Sequence, residues 1–323
     1  MNIDPILSAI IDTADAANTA PDDYINPEDG LKYCGKCHTP KEAYFAEKLR
    51  FSGIDRHPTD CKCAAEERER REAEMREFNR INHINLLRSE AFSDIPAADW
   101  RFDNAPVMTK QLTKAKEYAE KWDDFSREGI GLLLFGNVGT GKSYAAGCIA
   151  NALIDRMISV LYVDMTDVVN RMQGNFGADR DSYLKRITRP DLLILDDLGA
   201  ERNTSYGKER VFDIVNRRLL SRKPMIITTN IALSVMQKAT DLDDRRIYDR
   251  VLEVCVPVLF DGENFRKGNA AENLKKRLKS STSDTHIRQA YTHKLKYLVA
   301  HERGNSYRNN YPLSRNTRKA GYA

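Results

Sequence analysis

Residues 136–143 read GNVGTGKS and fit the spacing G-x-x-x-x-G-K-[ST], directly after an apolar run and ahead of a helical stretch. This spacing suits a triphosphate. Gly136, Asn137, Val138, Gly139, Thr140 and Gly141 can turn backbone N–H groups inward around the phosphates, and the following helix adds its positive end. Lys142 reaches the β and γ oxygens and Ser143 offers a ligand to Mg²⁺. A second stretch, LLILDDLG at 192–199, ends an apolar strand in Asp196, suited to holding Mg²⁺ through water, and Asp197, suited to polarising the attacking water. A third, PMIITTN at 224–230, closes on Asn230. In a parallel sheet, catalytic groups gather at the carboxyl ends of the strands, so Asn230 is expected beside Asp196, orienting the water or sensing the γ-phosphate. Each stretch alone has a bland reading: a Gly-rich turn, a pair of helix-capping acids, a strand-end turn. Together they point to ATP and Mg²⁺.

Four of the six cysteines form a separate group. YCGKC places Cys34 and Cys37 at C-x-x-C, and DCKC supplies Cys61 and Cys63 after a gap of 23 residues. Two thiolate pairs complete a tetrahedral Zn²⁺ site, which would order a segment too small to fold by apolar burial. His38 and His57 are close enough in sequence to replace one cysteine; a redox pair is the competing reading, without the thioredoxin-like pattern it would need. Cys148 and Cys255 fall in apolar segments and are expected to be inert core residues.

These groups need elements to position them. Apolar runs at 131–135, 158–163, 191–196, 224–229 and 254–258 alternate with helical stretches and lack in/out alternation, which suits strands covered on both faces. The expected fold is α/β, a parallel sheet wrapped by helices. The sequence divides into an acidic flexible segment (1–31), a cysteine unit (32–63), a long charged helix without Gly or Pro (64–93), the nucleotide domain (94–268) and a basic tail (269–323). An amphipathic helix is expected over 108–125.

Charge is uneven. Residues 1–31 hold seven acidic side chains and no Lys or Arg, whereas residues 262–323 hold 14 Lys+Arg against 4 Asp+Glu. That tail, with tyrosines among its basic residues, suits a single-stranded nucleic acid, or else a solubilising role. No apolar run approaches the ~20 residues of a membrane span, and the first residues lack a basic n-region, so a cytoplasmic protein with no membrane partner is expected.

Taken together, GNVGTGKS, LLILDDLGAE, RKPMIITTN, RRIYDRVLEVC and NFRKG resemble the AAA+ helicase loaders of the DnaC and DnaI type, especially their phage versions, over roughly residues 94–268. The resemblance implies an ASCE-type ATPase with the catalytic strand between the phosphate-loop strand and its neighbour. It also implies Arg250 as an arginine finger reaching the ATP of the next subunit of a homo-oligomer, with Arg246 competing, and Arg266 as a second sensor of the nucleotide. A zinc domain ahead of the ATPase, docking on a replicative hexameric helicase, matches the DnaI type. In loaders and initiators the segment between the second and third strands, here 170–189, meets single-stranded DNA. Lys185, Arg186 and Arg189 are then phosphate contacts and Phe176 or Tyr183 a stacking partner; an ordinary solvated helix is the even alternative. Most such ATPases carry Glu where this chain has Asp197, and the shorter side chain suits a slow switch.

Other classes fit less well. An IstB-like ATPase assisting a transposase shares the nucleotide domain, but not the cysteine unit and charged spacer. A metabolic P-loop kinase leaves Asn230 and the Arg250 region unexplained. A non-enzymatic zinc adaptor has no need of Asp196 and Asp197.

Overall fold

A computed structural model describes residues 19–46, 55–92, 95–174, 178–200, 204–262 and 264–265. The chain forms two compact units, dividing between Asn85 and Leu86. Among the described residues no helix is long and apolar enough to cross a membrane.

The first unit is built on two short hairpins. Strand β1 (Tyr24–Ile25) pairs antiparallel with β2 (Lys32–Tyr33), and β3 (Glu42–Tyr44) with β4 (Arg56–Pro58). Tyr24 lies opposite Tyr33, so the hairpin crosses the division expected between residues 31 and 32. The acidic residues just before that division belong to this unit. The reason lies in pairing: Asp23 forms an ion pair with Lys41 at 2.7 Å, both side chains buried. Burial by itself raises the Asp23 carboxyl, but the Ala20 N–H and the Lys41 ammonium outweigh it and hold the pKa below its ordinary value. Helix α1 (Lys62–Ala91) matches the expected charged helix and starts two residues earlier. Its Arg and Glu side chains pair along the axis, as Arg70 does with Glu67 and Glu74 and Arg71 with Glu67. Exposed pairs of this kind contribute only about 0.3–0.5 kcal/mol each, but they repeat along the helix.

The second unit carries the sheet. Helix α2 (Lys110–Glu120) is capped by the Thr109 hydroxyl, which accepts from the Leu112 N–H at 3.1 Å and contributes about 1 kcal/mol. The single helix expected over 108–125 breaks at Lys121, and α3 (Trp122–Glu128) follows, ending at Gly129 in the left-handed conformation. The break lets Trp122 bury its ring edge-on against Tyr118, with centroids 6.1 Å apart.

From there strands and helices alternate: β5 (Gly131–Gly136), α4 (Lys142–Ile154), β6 (Val160–Asp164), α5 (Met165–Gly174), α6 (Ala178–Thr188), β7 (Leu192–Leu198), α7 (Ser205–Leu220), β8 (Met225–Thr229), α8 (Leu233–Gln237), α9 (Leu242–Val254) and β9 (Cys255–Phe260). All five strands are parallel, in the order β6-β7-β8-β5-β9. The α/β expectation therefore agrees with the structure, and every apolar run read from the sequence is a strand. One detail differs. The strand inserted beside the phosphate-loop strand β5 is β8, which leads to Asn230, while the acid-bearing β7 lies one place further out.

Central strands are buried on both faces: Leu192 to Leu195 and Ile226 to Ile227 are fully inaccessible. Arg218 is equally buried and closes the amino ends of the sheet. Its guanidinium donates to the carbonyls of Thr188 (3.0 Å), Pro190 (2.7 Å), Asp191 (2.9 Å) and Pro224, tying the entries to β7 and β8 together. Burial pulls its pKa down to about 10, which leaves it charged at neutral pH. Cys148 and Cys255 are buried, and burial pushes both thiols up to about 12. They are inert in that state.

Candidate nucleotide and metal sites

The carboxyl ends of the strands surround a cavity of about 700 Å³. Strand β5 ends at Gly136, and the chain turns through Gly139 (φ 83°) and Gly141 (φ 95°) into α4. These are left-handed conformations that favour glycine. At Gly139 a Cβ would also have to push aside the Asn264 side-chain amide that rests there. The loop is tied by the Thr140 hydroxyl, which donates to the Asn137 carbonyl at 2.9 Å, and by the Phe265 N–H, which donates to the Gly139 carbonyl at 3.0 Å.

Three expected residues meet through side chains. The Lys142 ammonium donates to the carbonyls of Gly136 (2.9 Å) and Asn137 (2.8 Å) and to Oδ1 of Asn230 (2.8 Å). Asn230 donates from Nδ2 to Oδ1 of Asp197 at 2.8 Å. Asn230 thus bridges the phosphate-loop lysine and the second acid, lying in the same cavity as Asp196 with its hydrogen bond made to Asp197. Asp196 is engaged instead by the Thr228 hydroxyl at 2.5 Å. Both acids, Val138, Thr140, Gly141, Lys142 and Ser143 line the cavity.

Several residues of the site escaped the sequence reading. Thr228 is one. Asp164 ends β6 in register beside Asp196, lines the cavity, and accepts from the Thr166 N–H at 2.8 Å, which starts α5. Tyr162 donates from its hydroxyl to the Ser143 carbonyl at 3.2 Å; burial first, and the Asp196 carboxylate second, raise its pKa well above the ordinary value, so it remains a donor. Trp100 forms part of the wall. Buried Asn151 on α4 positions it by donating to the Ala97 and Trp100 carbonyls, each at 2.9 Å. The signals were faint: two threonines in an otherwise aliphatic strand, an acid closing another, a tryptophan in an irregular lead-in.

The arginines stand elsewhere. Arg250 is on α9, half-exposed, with an ion pair to Glu253 at 3.4 Å, and does not line the cavity. Arg246 lies over the Phe212 ring at 4.4 Å. Arg266 falls outside the described residues, although Asn264 and Phe265, which precede it, lie on the phosphate loop. In the 170–189 segment, Lys185, Arg186 and Arg189 are exposed, whereas Tyr183 is half-buried against the core with Arg186 over its ring at 5.2 Å. Phe176 and the tail lie outside the described residues.

In the first unit the ligand atoms of Cys34, Cys37, Cys61 and Cys63 all lie within 4.8 Å of one another, with Cys34 to Cys63 at 3.5 Å and Cys61 to Cys63 at 3.4 Å. Zn–S bonds of about 2.3 Å in a tetrahedron place sulfurs about 3.8 Å apart, so the four thiols fit that metal. Backbone N–H groups of Cys37 and Lys36 lower the Cys34 pKa, whereas hydrogen bonding with Cys61 and its neighbours pushes the Cys63 thiol up to about 12. Both histidines are engaged outside this group: Nδ1 of His38 is 3.2 Å from the Tyr24 hydroxyl, and His57 packs on the Phe45 ring with centroids 4.8 Å apart.

Comparison with known proteins gives the family. The IstB-like ATP binding protein family matches residues 65–273. The replicative helicase loader DnaC of Escherichia coli K12 is 32% identical over 209 residues, covering 63% of this chain and 80% of the relative. The replicative helicase loader DnaI of Bacillus subtilis strain 168 is 21% identical over 259 residues, covering 76% of this chain and 81% of the relative. The crystal structure of the DnaC helicase loader aligns at 24% identity and a TM-score of 0.44, over 50% of this chain and 96% of that one. Because the family match spans more than half of the 323 residues, and four fifths of the K12 relative aligns at 32% identity, the chain belongs to the IstB-like ATP binding proteins, as a relative of the DnaC and DnaI type.

Proposed function

We propose that the protein is an ATP-controlled helicase loader, which binds a replicative hexameric helicase and single-stranded DNA and hydrolyses ATP slowly, as a switch. The observation that carries this reading is the convergence of Lys142, Asn230 and Asp197 in one cavity, in a chain related to DnaC. The cavity offers Mg²⁺ hard oxygen donors, the Ser143 hydroxyl and the Asp196 carboxylate, which is the donor type that ion takes. Mg²⁺ when bound would neutralise the phosphate charge. Around it the chain's own groups act: Lys142 leaves its loop carbonyls for the β and γ oxygens, Asp197 accepts the proton of the attacking water, and Asn230 orients that water. Arg250 serves the neighbouring subunit's ATP in an oligomer, and Arg266 reads the nucleotide of its own subunit. Exposed Lys185, Arg186 and Arg189 contact phosphates of the single strand.

Affinity capture from host extract tests the class. Wild-type bait is expected to recover a hexameric helicase, and Lys142→Ala bait to recover it in an amount that no longer responds to ATP. Recovery of a transposase instead would move the protein to the IstB-like alternative, a helper of transposition.

The four-cysteine site is assigned to Zn²⁺ and the first unit to partner docking. Purified protein is expected to carry about one zinc per chain, by elemental analysis, and to lose the two short hairpins β1–β2 and β3–β4 on chelation, because a unit so small cannot fold by apolar burial alone. ATP binding should survive chelation while helicase capture is lost. Capture that persists without zinc would place the docking surface elsewhere.

A further inference from the structure

Asp196 and Asp197 are consecutive in β7, and in a regular strand consecutive side chains point to opposite faces. Two neighbouring carboxylates should therefore not serve the same cavity, yet both line it. The ladder explains how. Leu195 pairs with Ile227 and Leu198 pairs with Thr229, which leaves Asp196 and Asp197 together opposite Thr228. Two residues against one is a bulge, and a bulge re-aims the side chains it carries.

The bulge has a local cost. Asp197 adopts φ 62°, in the left-handed region, and its N–H falls out of register with the strand ladder. Thr228, only 1% exposed, answers this with one hydroxyl. Its Oγ1 accepts from the Asp197 N–H at 2.9 Å and donates to Oδ1 of Asp196 at 2.5 Å. The Asp197 N–H can only donate and takes a hydroxyl lone pair, whereas an ionised carboxylate can only accept, so the single hydroxyl proton goes to Asp196. The next residue ties the far side: Thr229 donates to the Leu198 carbonyl at 2.7 Å and accepts from the Ile231 N–H at 3.0 Å.

We propose that Thr228 is the positioning residue of the acid pair: one hydroxyl fixes the rotation of the Asp196 carboxylate and holds the Asp197 backbone in the turn that delivers its carboxylate to Asn230. Thr229 holds the strand and touches neither carboxylate. The proposal rests on the reading of the cavity as an Mg·ATP hydrolysis site.

The test begins with wild-type protein. If Mg²⁺ neither tightens ATP binding nor supports turnover there, the functional reading itself fails. Where it does both, Thr228→Val, which keeps the shape and removes the hydroxyl, is expected to bind metal-free ATP like wild type. It should also need about tenfold more Mg²⁺ for tight nucleotide binding, and turn over about 10²-fold slower. Thr228→Ser should recover most of both, and Thr229→Val should lower the melting temperature without moving the Mg²⁺ dependence. Thr228→Ala is run in parallel as a second hydroxyl-free variant. Wild-type Mg²⁺ dependence and kcat in a folded hydroxyl-free variant, or a serine variant no better than it, overturns the assignment. So does failure of both hydroxyl-free variants to fold while serine folds normally, since the hydroxyl would then serve the fold alone.

Discussion

Asp197→Asn protein is expected to bind ATP with wild-type affinity and to hydrolyse it about 10²–10⁴-fold more slowly. Asparagine has nearly the same shape, so the turn at φ 62° and the contact with Asn230 can persist, but an amide accepts no proton from water. The groups that hold phosphate and metal, Lys142, Ser143 and Asp196, are untouched. Lys142→Ala should fail in the opposite way. Its ammonium is the cation that the loop carbonyls and Asn230 hold in place, and without it ATP binding itself weakens. The two variants are separated by titrating ATP while following the fluorescence of Trp100, which lines the cavity, and by measuring phosphate release in parallel. Undiminished turnover in Asp197→Asn would show that another group takes the proton.

Arg250→Ala is expected to cost ~10³ in rate, and the loss should be repairable from outside the subunit. Arg250 sits half-exposed on α9, where among the described residues its ion pair is to Glu253 at 3.4 Å, and it does not line its own chain's cavity. Releasing such a pair costs little, roughly 0–1 kcal/mol, so the guanidinium is available to a neighbour. Arg246 has its cation over the Phe212 ring and should matter less. Neither Arg250→Ala nor Lys142→Ala is expected to turn over alone. Mixed, they form interfaces that pair an intact loop with an intact finger, and hydrolysis should return in proportion to those interfaces. Absence of rescue at every ratio, under conditions where wild type assembles, would remove Arg250 from the reaction.

What could be read from the sequence was whatever depends on local spacing or on composition. The phosphate loop is legible because its work is done by backbone N–H groups, which need glycine at particular positions whatever surrounds them; Gly139 and Gly141 occupy the left-handed turns that this requires. The cysteine pairs are legible because close spacing in sequence brings their four thiols within 4.8 Å of one another, and α1 because a run of Arg and Glu without Gly or Pro pairs along its own axis. The five strands follow from length and unbroken hydrophobicity.

Periodicity reports burial but never the partner, and everything left to tertiary structure is a matter of partners. Strand order could not be read, so neither could the position of β8 between the phosphate loop and the acid strand, which puts Asn230 between Lys142 and Asp197. The acidic residues before position 31 looked unattached because Lys41 and Tyr33, which hold Asp23 and Tyr24, are distant in sequence or across a turn. The bulge was equally hidden. LLILDD reads as a plain strand ending in two acids, and only pairing with β8 reveals that both face one Thr228 and that its hydroxyl holds them.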